Sequence, residues 1–247
     1  MDIALIGYGQ MGLEIERLAV GRGHRISARF DISSPVIANQ LNAGVAIDFS
    51  SASVIEYNVE TCANSGVNMV IGTTGWSDKI AYIRHVVDAA KIGVVYGSNF
   101  SVGMQMFMRI VQQAAQHVNQ AVDYDVMLHE LHHKRKADSP SGTALSLADM
   151  LLRNIDRKKT IQTETLHTRI DASELHLTST RGGEIAGTHS VYLDSDADTI
   201  ELTHRAKNRR GFALGAVLAA EWIVDKQGFF EFSEVFDSVM ELHRTKP

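Results

Sequence analysis

The chain is nearly free of cysteine, with Cys62 the single one in 247 residues. An intrachain disulfide and a four-cysteine metal site are therefore excluded, and a reducing compartment, the cytoplasm, is the expected home. Cys62 itself reads as a small buried hydrophobe. Basic charge is not in excess either: 24 Lys and Arg stand against 29 Asp and Glu, for a formal net charge of −5. A general binder of nucleic acid or of an anionic membrane would need a basic face, so neither is an expected partner. No apolar run approaches the roughly 20 residues that a spanning helix requires. The opening residues also lack the basic start and apolar stretch of a secretory signal. Internal repeats and low-complexity tracts are missing. What remains is ordinary globular composition, 45% hydrophobic and 21% charged. That is enough chain for one large domain or two small ones acting on a small molecule.

Over the first hundred residues, apolar runs of strand length at 3–6, 25–30, 45–49, 67–71 and 92–96 alternate with segments at 11–20, 53–63 and 78–90. The latter carry apolar residues at helical spacing, as in Ile80, Ile83, Val87 and Ala90. That alternation predicts an α/β unit, a Rossmann-like parallel sheet covered by helices. After Gly103 the pattern changes to a helix as far as about 118, a strand over 122–128 and a second helix over 141–155. The threonine- and valine-rich stretch 163–206, with turn residues at Arg181-Gly182-Gly183 and Asp194-Ser195-Asp196, predicts an antiparallel meander. A last helix over 212–224 returns the chain to its first domain. The expected organisation is a dinucleotide-binding domain of residues 1–103 and 210–247, interrupted by an inserted α+β domain of residues 104–209.

Gly7-Tyr8-Gly9-Gln10-Met11-Gly12 is a GxGxxG turn between a predicted strand and a predicted helix. Gly7 would permit the tight turn, Gly9 would let a pyrophosphate approach the backbone, and Gly12 would let helix and strand pack closely. The amides of Gln10 and Met11 fall at the helix N-terminus, which favours a phosphate. Asp31 follows Gly12 by 19 residues (31 minus 12), near the spacing of a carboxylate that binds ribose hydroxyls. A purely structural glycine turn is the alternative. Two further loops fall at the carboxyl ends of predicted strands, where open α/β sheets bind ligands: Gly72-Thr73-Thr74-Gly75 and Gly97-Ser98-Asn99-Phe100-Ser101.

Residues 129–136, His-Glu-Leu-His-His-Lys-Arg-Lys, form the densest ionisable stretch and lead into Asp138-Ser139-Pro140-Ser141-Gly142-Thr143. His129 to His133 spells HExxH, a zinc motif that works only on a helix. The preceding residues alternate like a strand, so no metal is expected. The second reading is an anion site. Pro140 suits the first turn of the following helix, whose amides near Ser141, Gly142 and Thr143 would receive a carboxylate, with Lys136 and His133 adding donors. His132, with an ordinary pKa near 6.5, would release a proton close to neutral pH. The third reading is a solvated basic turn.

The stretch from Glu130 through Thr143 resembles the signature of the dihydrodipicolinate reductases. The resemblance extends to the glycine turn, Gly72–Gly75, Asn99–Gly103, Arg181–His189 and His204–Phe212. It implies that His132 is the proton donor and Lys136 a catalytic and substrate-binding residue. His133, Ser141, Gly142 and Thr143 would hold a dicarboxylate substrate, which the nicotinamide reduces by hydride transfer with loss of water. It implies that Gly7, Gly9, Gln10, Met11, Gly12, Asp31, Gly72, Thr73, Thr74, Ser98, Asn99 and Phe100 serve the cofactor. It further implies a homotetramer joined through the second domain. Many members place an arginine after the acid that ends the second strand, whereas Ile32, Ser33 and Ser34 follow Asp31 here. A carboxylate without that cation repels a 2′-phosphate, which favours NADH over NADPH unless Arg29 or the serines compensate. A different two-domain dehydrogenase, a non-catalytic nicotinamide sensor and a reductase of another planar dicarboxylate are the competing functions.

Overall fold

The computed structural model describes residues 1–245. It divides into two compact units, Met1–Val102 with Arg209–Pro247, and Gly103–Asn208.

In the first unit, β1 (Asp2–Ile6), β2 (Arg25–Phe30), β3 (Val45–Asp48), β4 (Asn68–Ile71) and β5 (Gly93–Tyr96) alternate with α1 (Gln10–Gly21), α2 (Ile55–Asn64) and α3 (Ile80–Ala90). The strands pair in parallel. Except in the edge strand β2, their near-continuous burial follows from helices on both faces. Ile3, Leu5, Val45 and Ile47 pack on one face with residues of α1. Ala4, Ile6, Ala46, Met69 and Ile71 pack on the other with residues of α2 and α3. Each fully buried Val, Leu, Ile or Met side chain among them contributes about 1.5–3 kcal/mol.

The helix expected over 212–224 is present but is not the last element. The chain first runs through the second unit's α4 (Val102–Gln120), β6 (Asp125–His132), α5 (Gly142–Asn154), β7 (Thr160–Gln162), β8 (Glu174–Arg181), β9 (Thr188–Asp194) and β10 (Thr199–Arg205). It then returns as α6 (Arg210–Ile223), β11 (Gly228–Glu231) and α7 (Phe232–Thr245). β11 adds a sixth strand, giving the order β11-β5-β4-β3-β1-β2, and pairs with β5 in parallel. Phe229 anchors it by stacking on Tyr96 at 4.3 Å between ring centres.

The second unit corrects the expected meander. Its sheet runs β10-β9-β6-β8-β7. Only β9 and β10 form an antiparallel hairpin of consecutive strands. β6 lies between β9 and β8, antiparallel to the first and parallel to the second, and β7 is parallel to β8. Strand alternation fixes which face of a strand is buried but not which strand lies beside it. Here the parallel step from β6 is made through α5, the usual kind of crossover. Val126, Leu128, Leu175, Leu177, Val191 and Leu193 pack against Met104, Phe107 and Val111 of α4 and Leu147 and Leu151 of α5. Among the described residues no helix is long and apolar enough to cross a membrane.

Candidate functional site

At the head of α1, Gly7 has φ +85°, and a Cβ there would stand 2.4 Å from the Phe49 carbonyl oxygen. Only glycine fits both the torsion and the space. The amides of Gly7 and Tyr8 donate to the Phe30 carbonyl at 2.9 and 3.1 Å. They brace the turn and are not available to a ligand. Gly9 caps α1 without a side-chain hydrogen bond among the described residues, and the first turn carries no acid. A Cβ on Gly9 would meet no heavy atom within 4 Å. The helix therefore opens onto free space with its amides and positive dipole end exposed, which fits a phosphate. Arg209 donates to the Gln10 side chain, while Met11 and Gly12 lean into the core side of the turn.

A cavity of about 780 Å³ is lined by Gly7, Gly9, Asp31, Ile32, Val54 and Tyr57 among others. Asp31 Oδ1 accepts from Ser33 N at 2.8 Å, Ser33 Oγ at 2.7 Å and Ser34 N at 3.0 Å. These bonds hold its carboxyl below the usual range, so it is ionised. Arg29 is committed elsewhere, to both oxygens of Glu16 and over the Tyr8 ring.

The remaining residues that the sequence points to for the cofactor are placed as follows. Gly72 lies against the Phe49 ring, 2.2 Å from where its Cβ would be. Thr73 is buried and donates to Asp48 Oδ1 at 2.8 Å. Thr74 and Ser98 are exposed, and Asn99 accepts the Ser101 amide at 2.9 Å. Phe100 is 1% exposed and stacks on Phe232 in the core, which leaves only its main chain for a ligand.

In the second unit, HExxH lies on β6 as far as His132. A strand rules out the helical turn that the zinc motif needs, and His129 instead pairs with Thr178 Oγ1 at 2.6 Å. Alternation places Glu130 and His132 together on the buried face. Glu130, fully buried, accepts from Ser141 N at 2.8 Å, Ser141 Oγ at 2.5 Å, Ser179 Oγ at 2.9 Å and Arg181 Nη2 at 2.7 Å. Ser141 caps α5 by accepting from Ala144 N, so its amide and hydroxyl are already in use. Pro140 lies one residue before that cap and not inside the first turn. Gly142 is exposed and Thr143 half-buried. Lys136 Nζ contacts both carboxylate oxygens of Asp138, at 2.8 and 3.0 Å. Lys136 and the Gly142 amide together hold Asp138 ionised. An internal carboxylate thus sits where the sequence placed the anion.

The imidazoles are the unsatisfied part of this cluster. His132 Nε2, His133 Nδ1 and His189 Nδ1 are buried and have no hydrogen-bond partner among the described residues. The His132 ring is centred 5.3 Å from that of His189 and 6.5 Å from that of His133. Burial lowers His132 to about 4, with His189, Lys136 and Arg181 acting in the same direction and Glu130 against it. This corrects the expectation of an ordinary histidine titrating near neutrality. Burial alone would raise Glu130, but hydrogen bonds from His189, Ser141 and Arg181 outweigh it and keep the carboxylate ionised. Glu130, His132 and His189 offer ligand atoms within 4.8 Å of one another. With the Arg181 guanidinium bound to that carboxylate, the set is better matched to protons than to a metal cation. Sequence reasoning named His132, His133 and Lys136 but passed over Glu130, Arg181 and His189 as site residues. The two-residue spacing of Glu130 and His132 on a strand was the available signal.

A parallel α/β unit with a glycine turn, followed by a mixed-sheet unit carrying clustered imidazoles and a lysine, defines a two-unit oxidoreductase of the nicotinamide-dependent kind. Models described as "Dihydrodipicolinate reductase, N-terminus" and "Dihydrodipicolinate reductase, C-terminus" match residues 1–100 and 103–236. A 4-hydroxy-tetrahydrodipicolinate reductase of Christiangramia forsetii is 39% identical over 98% of this chain and 100% of its own length. One of Archaeoglobus fulgidus is 36% identical over 96% of this chain and 100% of its own. The chain belongs to the dihydrodipicolinate reductase family. The structure of a dipicolinate-bound dihydrodipicolinate reductase from Paenisporosarcina sp. TG-14 shares the fold with a TM-score of 0.77 at 20% identity, covering 95% of this chain and 99% of that one.

Proposed function

We propose that this chain reduces 4-hydroxy-tetrahydrodipicolinate to tetrahydrodipicolinate in lysine and diaminopimelate biosynthesis, a cytoplasmic role, with His132 as proton donor. The observation that carries the reading is the group of three buried imidazole nitrogens without a hydrogen-bond partner among the described residues, on His132, His133 and His189. Buried polar atoms left unpaired in a folded protein call for a ligand or a proton, and a dicarboxylate supplies acceptors for both. The relatives' shared name and the dipicolinate bound by the Paenisporosarcina protein support that choice.

A bound nicotinamide supplies hydride to the ring, which takes up one proton and loses water. The chain's own residues bind and orient the dianion. Lys136 exchanges Asp138 for a substrate carboxylate, and His133 with the Gly142 and Thr143 amides receives the other. Ser141 acts by holding the head of α5 in place. Two negative charges beside His132 offset the Lys136 and Arg181 charges that depress it, so its proton arrives with the substrate.

The Gln10 and Met11 amides, beside the open backbone at Gly9, would hold the pyrophosphate, with Gly7 and Gly12 shaping the turn, Asp31 would hold the ribose, and the loops 72–74 and 98–100 the nicotinamide end. NADH is favoured over NADPH. A 2′-phosphate would meet the ionised Asp31, while Arg29 is engaged by Glu16 and the Ser33 hydroxyl by Asp31 itself.

For the expected homotetramer, the sheet face turned away from the helices offers Met127, 39% exposed, in register with His176 and Tyr192. Light scattering on the purified chain tests that assembly. Oxidation of NADH and NADPH with freshly made dihydrodipicolinate synthase product tests the reaction. Rapid substrate-dependent turnover, faster with NADH, is expected. Cofactor binding without turnover would contradict the reading and favour the sensor or another dicarboxylate.

A further inference from the structure

We infer that Glu130 and Arg181 are positioning residues that set the proton affinity of His132 in opposite directions. The inference rests on the reading of His132 as proton donor. Its basis is register: on three adjacent strands Glu130 is paired with His189 of β9 and Ser179 of β8, while His132 is paired with Arg181. Five groups of a polar cross-section are thereby brought together from segments far apart in the chain. Glu130 Oε2 lies 3.4 Å from His132 Nε2 and also 3.4 Å from His189 Nε2. One fixed negative charge therefore faces two imidazoles, in a setting from which water is excluded and charges interact strongly. The His132 ring packs closely over Gly187, at φ +153°, where a Cβ would stand 2.8 Å from His132 Cε1, so the ring has its place only because residue 187 is glycine.

The charged and titratable groups facing His132 are Glu130 on its own strand, His189 from β9, Arg181 from β8, and Lys136 and His133 from the loop that follows. Ser141, at the head of α5, contributes an uncharged hydroxyl to Glu130. Glu130 is the single anion among them and favours the imidazolium, whereas Arg181 and Lys136 disfavour it. A merely structural Glu130 would be a strap from α5 to the sheet, with no effect on where His132 titrates.

The test uses the full chain with isotope-labelled histidine, following the His132 ring by NMR against pH, together with the pH profile of kcat/KM. Glu130→Gln is expected to move the His132 midpoint and the basic limb of the profile down by about one unit, a tenfold fall in the protonated fraction. Arg181→Gln is expected to move both up by a similar amount. Glu130→Asp, which keeps the charge, should hold the midpoint near that of the parent even where kcat falls. Loss of activity equally at all pH values, with the His132 midpoint unmoved in Glu130→Gln and Arg181→Gln, would overturn the inference. Should Glu130→Gln not fold, the upward shift in Arg181→Gln decides alone, and its absence counts against the proposal. Failure of the parent to turn over the synthase product would remove the functional reading, while the ring titration would still decide whether Glu130 and Arg181 govern His132.

Discussion

At the head of α1 the charged or dipolar groups offered to a ligand are main-chain amides and one carboxylate held by two serines. In the second unit they are imidazoles, a lysine and a buried carboxylate, each altering the charge of the next. The glycine turn works by absence of side chains, so it depends on sterics and is nearly indifferent to pH. The second unit's site works by convergence of charges from β6, β8, β9 and the α5 cap, so it depends on protonation.

Substitutions at the cradle give the largest effects. Gly7→Ala should destabilise the chain by about 1–3 kcal/mol through the left-handed torsion alone, with the Phe49 clash in addition, as a thermal melt would show. Gly9→Ala has open space and should leave the melt unchanged, yet weaken NADH at least roughly tenfold, because the methyl stands where the phosphates approach. If both glycines behaved alike, the distinction between a bracing and a contacting glycine would fail.

Next in size is the pH response of the second unit. His132 lies near 4 in the fold against about 6.5 in an unfolded chain. The unfolded state therefore takes up the proton first as pH falls. This contribution is full above pH 6.5 and is lost progressively towards pH 4, a loss on the order of a few kcal/mol. Denaturant melts of the parent and of His132→Gln across that window should diverge at neutral pH and converge in acid. Parallel curves would show that His132 is not held neutral by burial.

Smaller effects separate the two kinds of charge. Asp31→Asn should raise NADPH use relative to NADH by about tenfold, while Arg29→Ala should leave the ratio where it is, since that guanidinium already serves Glu16. Asp138→Asn removes a half-exposed competitor for Lys136 and should tighten a dicarboxylate inhibitor only a few-fold, in keeping with about 0.2–1 kcal/mol for such ion pairs. Titration calorimetry with dipicolinate measures it, and weaker binding would mean that Asp138 orients Lys136 and does not mask it.

The same contrast explains what could be read from the sequence. Gly7, Gly9 and Asp31 announce themselves because a torsion, a close approach and a ribose contact each require one residue type at a fixed local spacing. The first five strands were legible as apolar runs. β11 and α7 are not among the elements expected from the sequence, although Phe232, Phe236 and Val239 recur at helical spacing and are buried. The order of the second sheet was not legible, since β6 takes its neighbours from segments well separated along the chain. Arg181 stands 51 residues from the Glu130 carboxylate that it binds. The lowered proton affinity of His132 is likewise a product of tertiary burial, which no local pattern of residues encodes.

The division of labour between the units is tested most directly by measuring NADH binding and substrate-dependent turnover side by side in His132→Gln and Lys136→Ala. The account predicts turnover lowered by about 10²–10⁴-fold in His132→Gln, the usual contribution of a positioned acid, and a strong loss in Lys136→Ala, with NADH affinity unchanged in both. Turnover close to that of the parent, or NADH affinity lost along with it, would contradict the claim that the second unit holds the chemistry and the first the cofactor.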